Sequence, residues 1–371
     1  MEKQFDTFLK FVRAHLWQRP LHLKDRSMSH EEFTAVMQVA KEQAMTSILA
    51  QGIIESGIRL ERNDIMEMVS FVNVLEQKNL EMDRAVVWLC KTMKERNVRI
   101  WVFKGQTLAR LYPIPKARSC GDIDFLVHPD DWPTALHYFK DELNLSINDM
   151  ITEKDVSFHL NGVVFEMHRN LTAFASSRHS RYWKRKVMPA IFKSGQSVNI
   201  NDYPVPTLPP TYNVLYVFVH IFEHLISDGI GLRQFCDWML LMHSKGSEVD
   251  TELLNRHLEG IGLYKAFHGV GAVLTNYLGY VSDSLKLSPT KKDEKHVISL
   301  IDNIFEFGNF GNNKEYKNKP GVKHGIEHLG RIVSQSRKFG HYARLEVWSK
   351  VPYMFRWWSK KIYKIVTKKH S

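Results

Sequence analysis

FKGQTLARLYPIPKARSCGDIDFLV, residues 103–127, is the stretch on which the fold of this chain turns. It begins at the end of an apolar run, Val98–Phe103, which has the composition of a buried strand. Gly105 then lets the backbone turn tightly into a short helix expected over Gln106–Leu111. After a proline-punctuated loop the chain returns as Gly121-Asp122-Ile123-Asp124-Phe125-Leu126-Val127. Strand alternation puts Asp122 and Asp124 on one face and Ile123 and Phe125 on the other. Two carboxylates side by side on one strand repel each other unless a cation lies between them. Mg²⁺ suits such a pair, because it takes hard oxygen ligands and leaves places for substrate phosphates.

Downstream, Val156–Leu160, Asn161-Gly162 and Val163–His168 form a hairpin pattern, with Asn-Gly as the turn signal. In its second strand Val164, Glu166 and His168 share one face, and Val163, Phe165 and Met167 the other. Before it, Pro129 with Asp130 and Asp131 suits a helix start, running to about Leu143. Residues 174–193 are helical and basic, and Gln196–Val205 adds a small strand or hairpin.

Upstream the pattern is helical throughout. Phe5, Phe8, Leu9, Val12 and Leu16 have helical spacing, Ser29 and Glu32 make a capping-box signature for a helix to about Ala50, and a third helical stretch runs from Asn63 toward Arg96 as one helix or two. These first eighty-odd residues carry no recognisable chemistry and read as a packing domain. From Pro209 the chain is helical again, over 211–227, 232–245, 250–258, 262–280 and 290–306, before a Gly/Asn/Lys-rich loop at 307–325 and a basic, aromatic tail.

A glycine turn followed by a D-x-D strand resembles the nucleotidyltransferase superfamily of the DNA polymerase β type. Lys104-Gly105, with Arg118 four residues before Asp122, is similar in particular to its bacterial "uncharacterised nucleotidyltransferase" family. Val163–Leu171, with its Glu166-x-His168 pair, resembles the strand that carries the superfamily's third carboxylate. His220–Leu241, HIFEHLISDGIGLRQFCDWMLL, looks like the helical portion of the same family. The resemblance covers roughly residues 86–245. It departs from the superfamily in placing Gln106, rather than Gly or Ser, after Gly105, and in a longer gap to Asp122.

What the resemblance implies is an NMP moved from an NTP, ATP among the candidates, to an unidentified acceptor with release of pyrophosphate. Asp122, Asp124 and Glu166 would be the catalytic and metal-binding set for two Mg²⁺ ions, or Mn²⁺, with Glu166 as metal ligand, base or both. Lys104, Gly105 and Gln106 would form the phosphate-handling turn, and Arg118 would meet the pyrophosphate. Arg233 and Asp237, four apart on a helix, read equally as a salt bridge or as a wall of the pocket. The expected architecture is α+β, a small mixed-sheet core at 86–208 between an N-terminal helical segment, 1–85, and a C-terminal helical domain, 209–371. The acceptor class stays open among small hydroxylated molecules, sugars, proteins and RNA ends. A catalytically silent nucleotide-binding scaffold is the second reading.

Composition is compatible with all of this. The 371 residues carry a formal charge of +11 and 44% hydrophobic residues, which favours an anionic partner for an ordinary globular chain. Cys90, Cys120 and Cys236 are scattered, so neither a disulfide framework nor a cysteine zinc site is implied. No P-loop or dinucleotide fingerprint occurs. A rival motif, His220-x-x-Glu223-His224, has the spacing of an inverted zincin and would make the chain a zinc hydrolase; two helical histidines are more often packed than metal-bound. Arg178–Lys193 holds six Lys/Arg and no acid, as an anionic channel or a solvated face. The first seventeen residues contain no uninterrupted apolar core, and the most apolar stretches, 212–226 and 262–281, are interrupted by polar residues, so the cytoplasm is expected. Arg344–Ser371 mixes eight Lys/Arg with Trp348, Tyr353, Phe355, Trp357, Trp358 and Tyr363, which suits either closure of the helical core or docking on the inner face of an anionic membrane.

Overall fold

The computed structural model describes residues 2–147, 155–227, 229–282, 284–309, 322–350 and 352–353. Four helices open the chain: α1 (Lys3–Leu16), α2 (His30–Glu42), α3 (Thr46–Ser56) and α4 (Arg62–Glu95). The Ser29 hydroxyl accepts from the Glu32 amide at the start of α2, as a capping residue should. The stretch left open between one helix and two is a single helix of 34 residues, α4.

The mixed core follows. It comprises β1 (Ile100–Phe103), α5 (Gly105–Ala109), β2 (Asp122–Val127), α6 (Trp132–His137), β3 (Asp155–Leu160) and β4 (Val163–His168). Spatial order in the sheet is β1-β2-β4-β3, with β2 and β4 parallel and the outer pairs antiparallel. Asp122 lies opposite Val164, Asp124 opposite Glu166, and Leu126 opposite His168. Because alternation is strict, Ile123, Phe125, Phe165, Met167 and Phe158 share the other face, where they bury against Val86, Leu89 and Met93 of α4. Phe139 extends that layer, stacked on Phe158 at 4.4 Å.

Then come α7 (Ser177–Tyr182) and α8 (Met188–Phe192), joined by a π-helical turn, and a separate hairpin of β5 (Ser197–Ile200) and β6 (Tyr203–Pro206). Six helices follow: α9 (Pro210–Leu225), α10 (Leu232–Lys245), α11 (Thr251–Gly260), α12 (Tyr264–Tyr277), α13 (Lys291–Phe307) and α14 (Val322–Phe339). The helix α14 begins inside the stretch expected as a loop.

The two ends of the chain share one core. Phe5 stacks on Phe305 at 4.3 Å, the Trp17 indole donates to the Leu278 carbonyl at 2.6 Å, and the Gln43 amide donates to the Ile304 carbonyl at 3.2 Å. Described residues of α1–α3 and of α9–α13 thus contribute to one hydrophobic core. That helical layer covers the acidic face of the sheet. Where it stands off, a cavity of about 770 Å³ opens over Asp122, Asp124 and Glu166.

The start of the basic tail packs on this layer: Val347 is fully buried and the Glu346 carboxylate accepts from the Ala175 and Ser176 amides. Phe355, Trp357, Trp358 and Tyr363 lie outside the described residues. No helix among the described residues is long and apolar enough to cross a membrane.

Candidate active site

The cavity gathers Lys104, Gly105, Arg118, Asp122, Asp124 and Glu166 on one wall, and Arg233 and Asp237 on another. Parallel pairing of β2 with β4 brings Asp124 beside Glu166, since neighbouring strands stand about 4.8 Å apart. His168 joins them. Its Nε2 lies 2.9 Å from Asp124 Oδ1 and 3.6 Å from Glu166 Oε2, and its Nδ1 faces Asp155 at 3.6 Å. Asp124, Glu166 and His168 form the group among the described residues whose ligand atoms converge closely enough to hold a metal ion, all within 4.8 Å of one another. Asp122 stands at the cavity edge of the same set.

Lys104 is held in an unusual backbone conformation, φ 55° and ψ −145°, immediately before Gly105 at φ 38°. Such a conformation costs a non-glycine residue about 1–3 kcal/mol. Its effect is to aim the ammonium inward, 3.2 Å from Asp124 Oδ2, between the rings of Phe103 and Tyr216. Burial opposes the lysine charge, but Asp124, Tyr216 and Asp122 together outweigh it and raise the pKa above the usual lysine range. Burial likewise opposes ionisation of Asp124, and Lys104 with His168 overcomes it, holding this carboxyl well below the carboxylate range. Lys104 and Arg233 favour the Asp122 charge as well, but less than burial and its neighbours oppose it. Burial first, and then the Asp124 charge, push its pKa up to about 6. A site with one carboxylate neutralised and a second left strained by like charge is short of positive charge, and its donor set of carboxylate oxygens fits a hard divalent cation.

Other candidates are placed differently. The Gln106 side chain turns away from the cavity: it donates to Asp83 Oδ1 and to the Asn79 carbonyl of α4, and Arg110 binds the same Asp83 at 2.6 Å. Asn79 also donates to the Lys116 and Arg118 carbonyls, at 2.7 and 3.0 Å. Buried polar residues of α4 therefore fix both the glycine turn and the loop that enters β2, a role that the long helical pattern did not reveal. Asn79 and Asp83, four apart on an otherwise apolar face, were its only sequence trace.

Arg118 and Asp237 form a buried two-pronged pair, Nε to Oδ1 and Nη2 to Oδ2, both at 2.7 Å, with the Tyr112 hydroxyl also donating to Asp237 at 2.7 Å. The ion pair of Asp237 is thus with Arg118, 119 residues away, rather than with Arg233 one helical turn away. Arg233 donates to the Ser119 carbonyl and makes no ion pair among the described residues, so its charge remains over at this end of the cavity. His220, Glu223 and His224 line the far wall. The two imidazoles meet edge to face at 4.5 Å, and Glu223 accepts from Thr172.

Comparison with known proteins adds the following. The profile of a family described as "Uncharacterised nucleotidyltransferase" matches residues 29–279. No curated protein matches the chain. Among solved structures, an antigenic nucleotidyltransferase-like protein from Paracoccidioides brasiliensis is similar at 13% identity, covering 54% of this chain and 93% of that one with a TM-score of 0.32. The antibiotic-resistance factor ANT(2'')-Ia is similar at 12% identity, covering 54% and 97%, also with a TM-score of 0.32.

Four outcomes follow, the first three for the metal-free chain. Asp122→Asn should stabilise it at pH 7.5, by on the order of 1–2 kcal/mol after allowance for partial exposure, whereas Asp124→Asn should destabilise it by stranding Lys104. The sign follows from the pKa of Asp122 being raised in the folded state: that carboxyl costs stability above pH 6, and the cost disappears as pH falls and the folded chain takes up the proton first. Denaturant midpoints of wild type and Asp122→Asn should therefore draw together as pH falls from about 6 toward 3.8; a constant gap would contradict the crowding. Arg118→Ala, which leaves Asp237 buried and unpaired, should lose about 3–5 kcal/mol in the same measurement, and a loss below 1 kcal/mol would place the pair elsewhere. Elemental analysis of the purified protein should find no stoichiometric zinc, and one Zn per chain, lost in His220→Ala, would assign the histidine motif a metal instead.

Proposed function

Because the chain belongs to the uncharacterised nucleotidyltransferase family, we propose that it transfers an NMP from an NTP to a hydroxyl-bearing acceptor, releasing pyrophosphate. The observation that carries this reading is the register of β2 against β4, which lines up Asp122, Asp124 and Glu166 on the floor of one cavity. Asp122, Asp124 and Glu166 would hold divalent cations, which supply positive charge to the NTP phosphates and to the leaving pyrophosphate.

The chain's own residues account for the rest. Lys104 locks Asp124 in place, and the Nε2 of His168 fixes the same carboxylate from the other side. Both act as positioning residues. Arg233, with no carboxylate of its own, is the cation for a phosphate entering from the α10 side of the cavity, which Arg118 also lines. Glu166 has a side chain 37% exposed, so it is within reach of an acceptor. In the transfer, the acceptor oxygen bonds to the α-phosphorus as the bond from that phosphorus to the β-phosphate bridging oxygen breaks. The bonding electron pair leaves with pyrophosphate, and the acceptor proton passes to Glu166. Helices α9 and α10 line the cavity opposite the sheet.

The test is a pyrophosphate-release screen of the four NTPs with Mg²⁺ or Mn²⁺ against cell extract, followed by mass spectrometry of the modified acceptor. Activity should appear with wild type and fall about 10²–10⁴-fold in Glu166→Gln, and at least as far in Asp122→Asn and Asp124→Asn, with circular dichroism unchanged. Near-wild-type turnover in any of the three would remove the site assignment. Nucleotide bound without pyrophosphate release, across a broad acceptor panel, would mark a nucleotide-binding scaffold.

A further inference from the structure

From Ser177 to Phe192 the backbone is helical without a break, α7 and α8 being joined by the π turn at Trp183–Val187. Its inner face is apolar and closed: Trp183, Val187, Met188 and Ile191 are almost fully buried. Its outer face carries Arg178, Arg181, Lys184, Arg185 and Lys186, with Lys193 just beyond the end, and all six are exposed. None of the six makes an ion pair among the described residues, and no acidic residue interrupts them.

Stability does not account for this arrangement. Like charges one turn apart destabilise a helix, and Arg181 has Arg178, Lys184 and Arg185 as such neighbours. Arg178 and Arg181 also stand near the N-terminal, positive end, where the helix dipole disfavours cations. A basic cavity elsewhere among the described residues contrasts with it. Lys10, Arg13 and Arg19 line a cavity of about 510 Å³ at the C-terminal ends of α1, α10 and α12, where cations complement three helix dipoles. The ridge at 178–193 has no such internal role.

Its position supplies one. Ala173 and Ala175 line the catalytic cavity, and the helix starts two residues later from the Ser176 cap. A ridge of sixteen helical residues is roughly 24 Å long, enough for the backbone of several nucleotides. We propose that this ridge binds the phosphodiester backbone of a polynucleotide strand and leads the end of that strand into the cavity as the acceptor. A membrane surface fits less well, because none of the large apolar side chains exposed on the molecule lies in this run to enter the lipid. The docking stands on the charge pattern alone; the role of the strand as acceptor rests on the nucleotidyl-transfer reading above.

The docking is tested on the full chain, without NTP and with EDTA, so that its outcome is separate from that of the transfer reaction. The probes are a fluorescein-labelled fifteen-nucleotide single strand of mixed sequence, as RNA and as DNA, and phosphatidylserine-containing vesicles. Wild type should bind a strand at low salt. R181E/R185E should bind it at least tenfold more weakly, with a log–log salt slope shallower by about 1.4, two contacts at about 0.7 each. K10E/R13E, with the same change of charge at that basic cavity, should stay within about threefold of wild type. Comparison of RNA and DNA then identifies the sugar. No strand binding by wild type, equal loss in both double variants, or vesicles bound in preference to strands would overturn the proposal.

Discussion

Everything at the cavity depends on one electrostatic imbalance. Three carboxylates, Asp122, Asp124 and Glu166, are brought together by two parallel strands, and the protein itself neutralises only one of them. Lys104 and His168 both make their shortest carboxylate contacts with Asp124. Asp122 is left with a raised pKa by burial and by the neighbouring charge, so the carboxylates are crowded electrostatically. A nearby positive charge would relieve that crowding. The unusual backbone at Lys104 falls on the residue whose ammonium meets Asp124.

The surrounding helices hold that imbalance in place. Asn79 and Asp83 of α4 tie down the turn before β2 from one side. From the other, Asp237 of α10 grips Arg118 in the loop that enters β2. The strand carrying the two aspartates is thus clamped at its start between helices from opposite ends of the chain. The shared helical core, with Phe5 against Phe305 and Trp17 bound to the Leu278 carbonyl, keeps those ends together. Arg233, left without a carboxylate by the Arg118–Asp237 pair, is the consequence of most interest for phosphate binding.

Where local chemistry decides the outcome, the sequence was readable. The alternation in Gly121–Val127 placed Asp122 and Asp124 on one face, and Asn161-Gly162 marked the hairpin that carries Glu166. The Ser29 cap and the helical periodicities of the C-terminal half were equally local. What stayed hidden involved partners far apart in the chain. Spacing on one helix suggested Arg233 for Asp237, but the fold brought in Arg118, whose Nε and Nη2 meet both carboxylate oxygens. Gln106, next to the glycine turn, was expected at the phosphates and instead meets Asp83. The weight of His168 was also invisible, because a strand histidine with neighbouring carboxylates can pack or bind, and only its distance to Asp124 decides.

The central claim is that Asp122, Asp124 and Glu166 act as one cation site facing a nucleotide. Its most direct measurement is a Mn²⁺ titration followed by electron paramagnetic resonance, with and without a non-hydrolysable ATP analogue, at pH 7.5. The carboxylate cluster requires that wild type deplete the free Mn²⁺ signal at low metal concentration, more strongly with the analogue present. It also requires that Asp122→Asn and Asp124→Asn lose that uptake while keeping their fold. Equal Mn²⁺ uptake by wild type and both variants would contradict it.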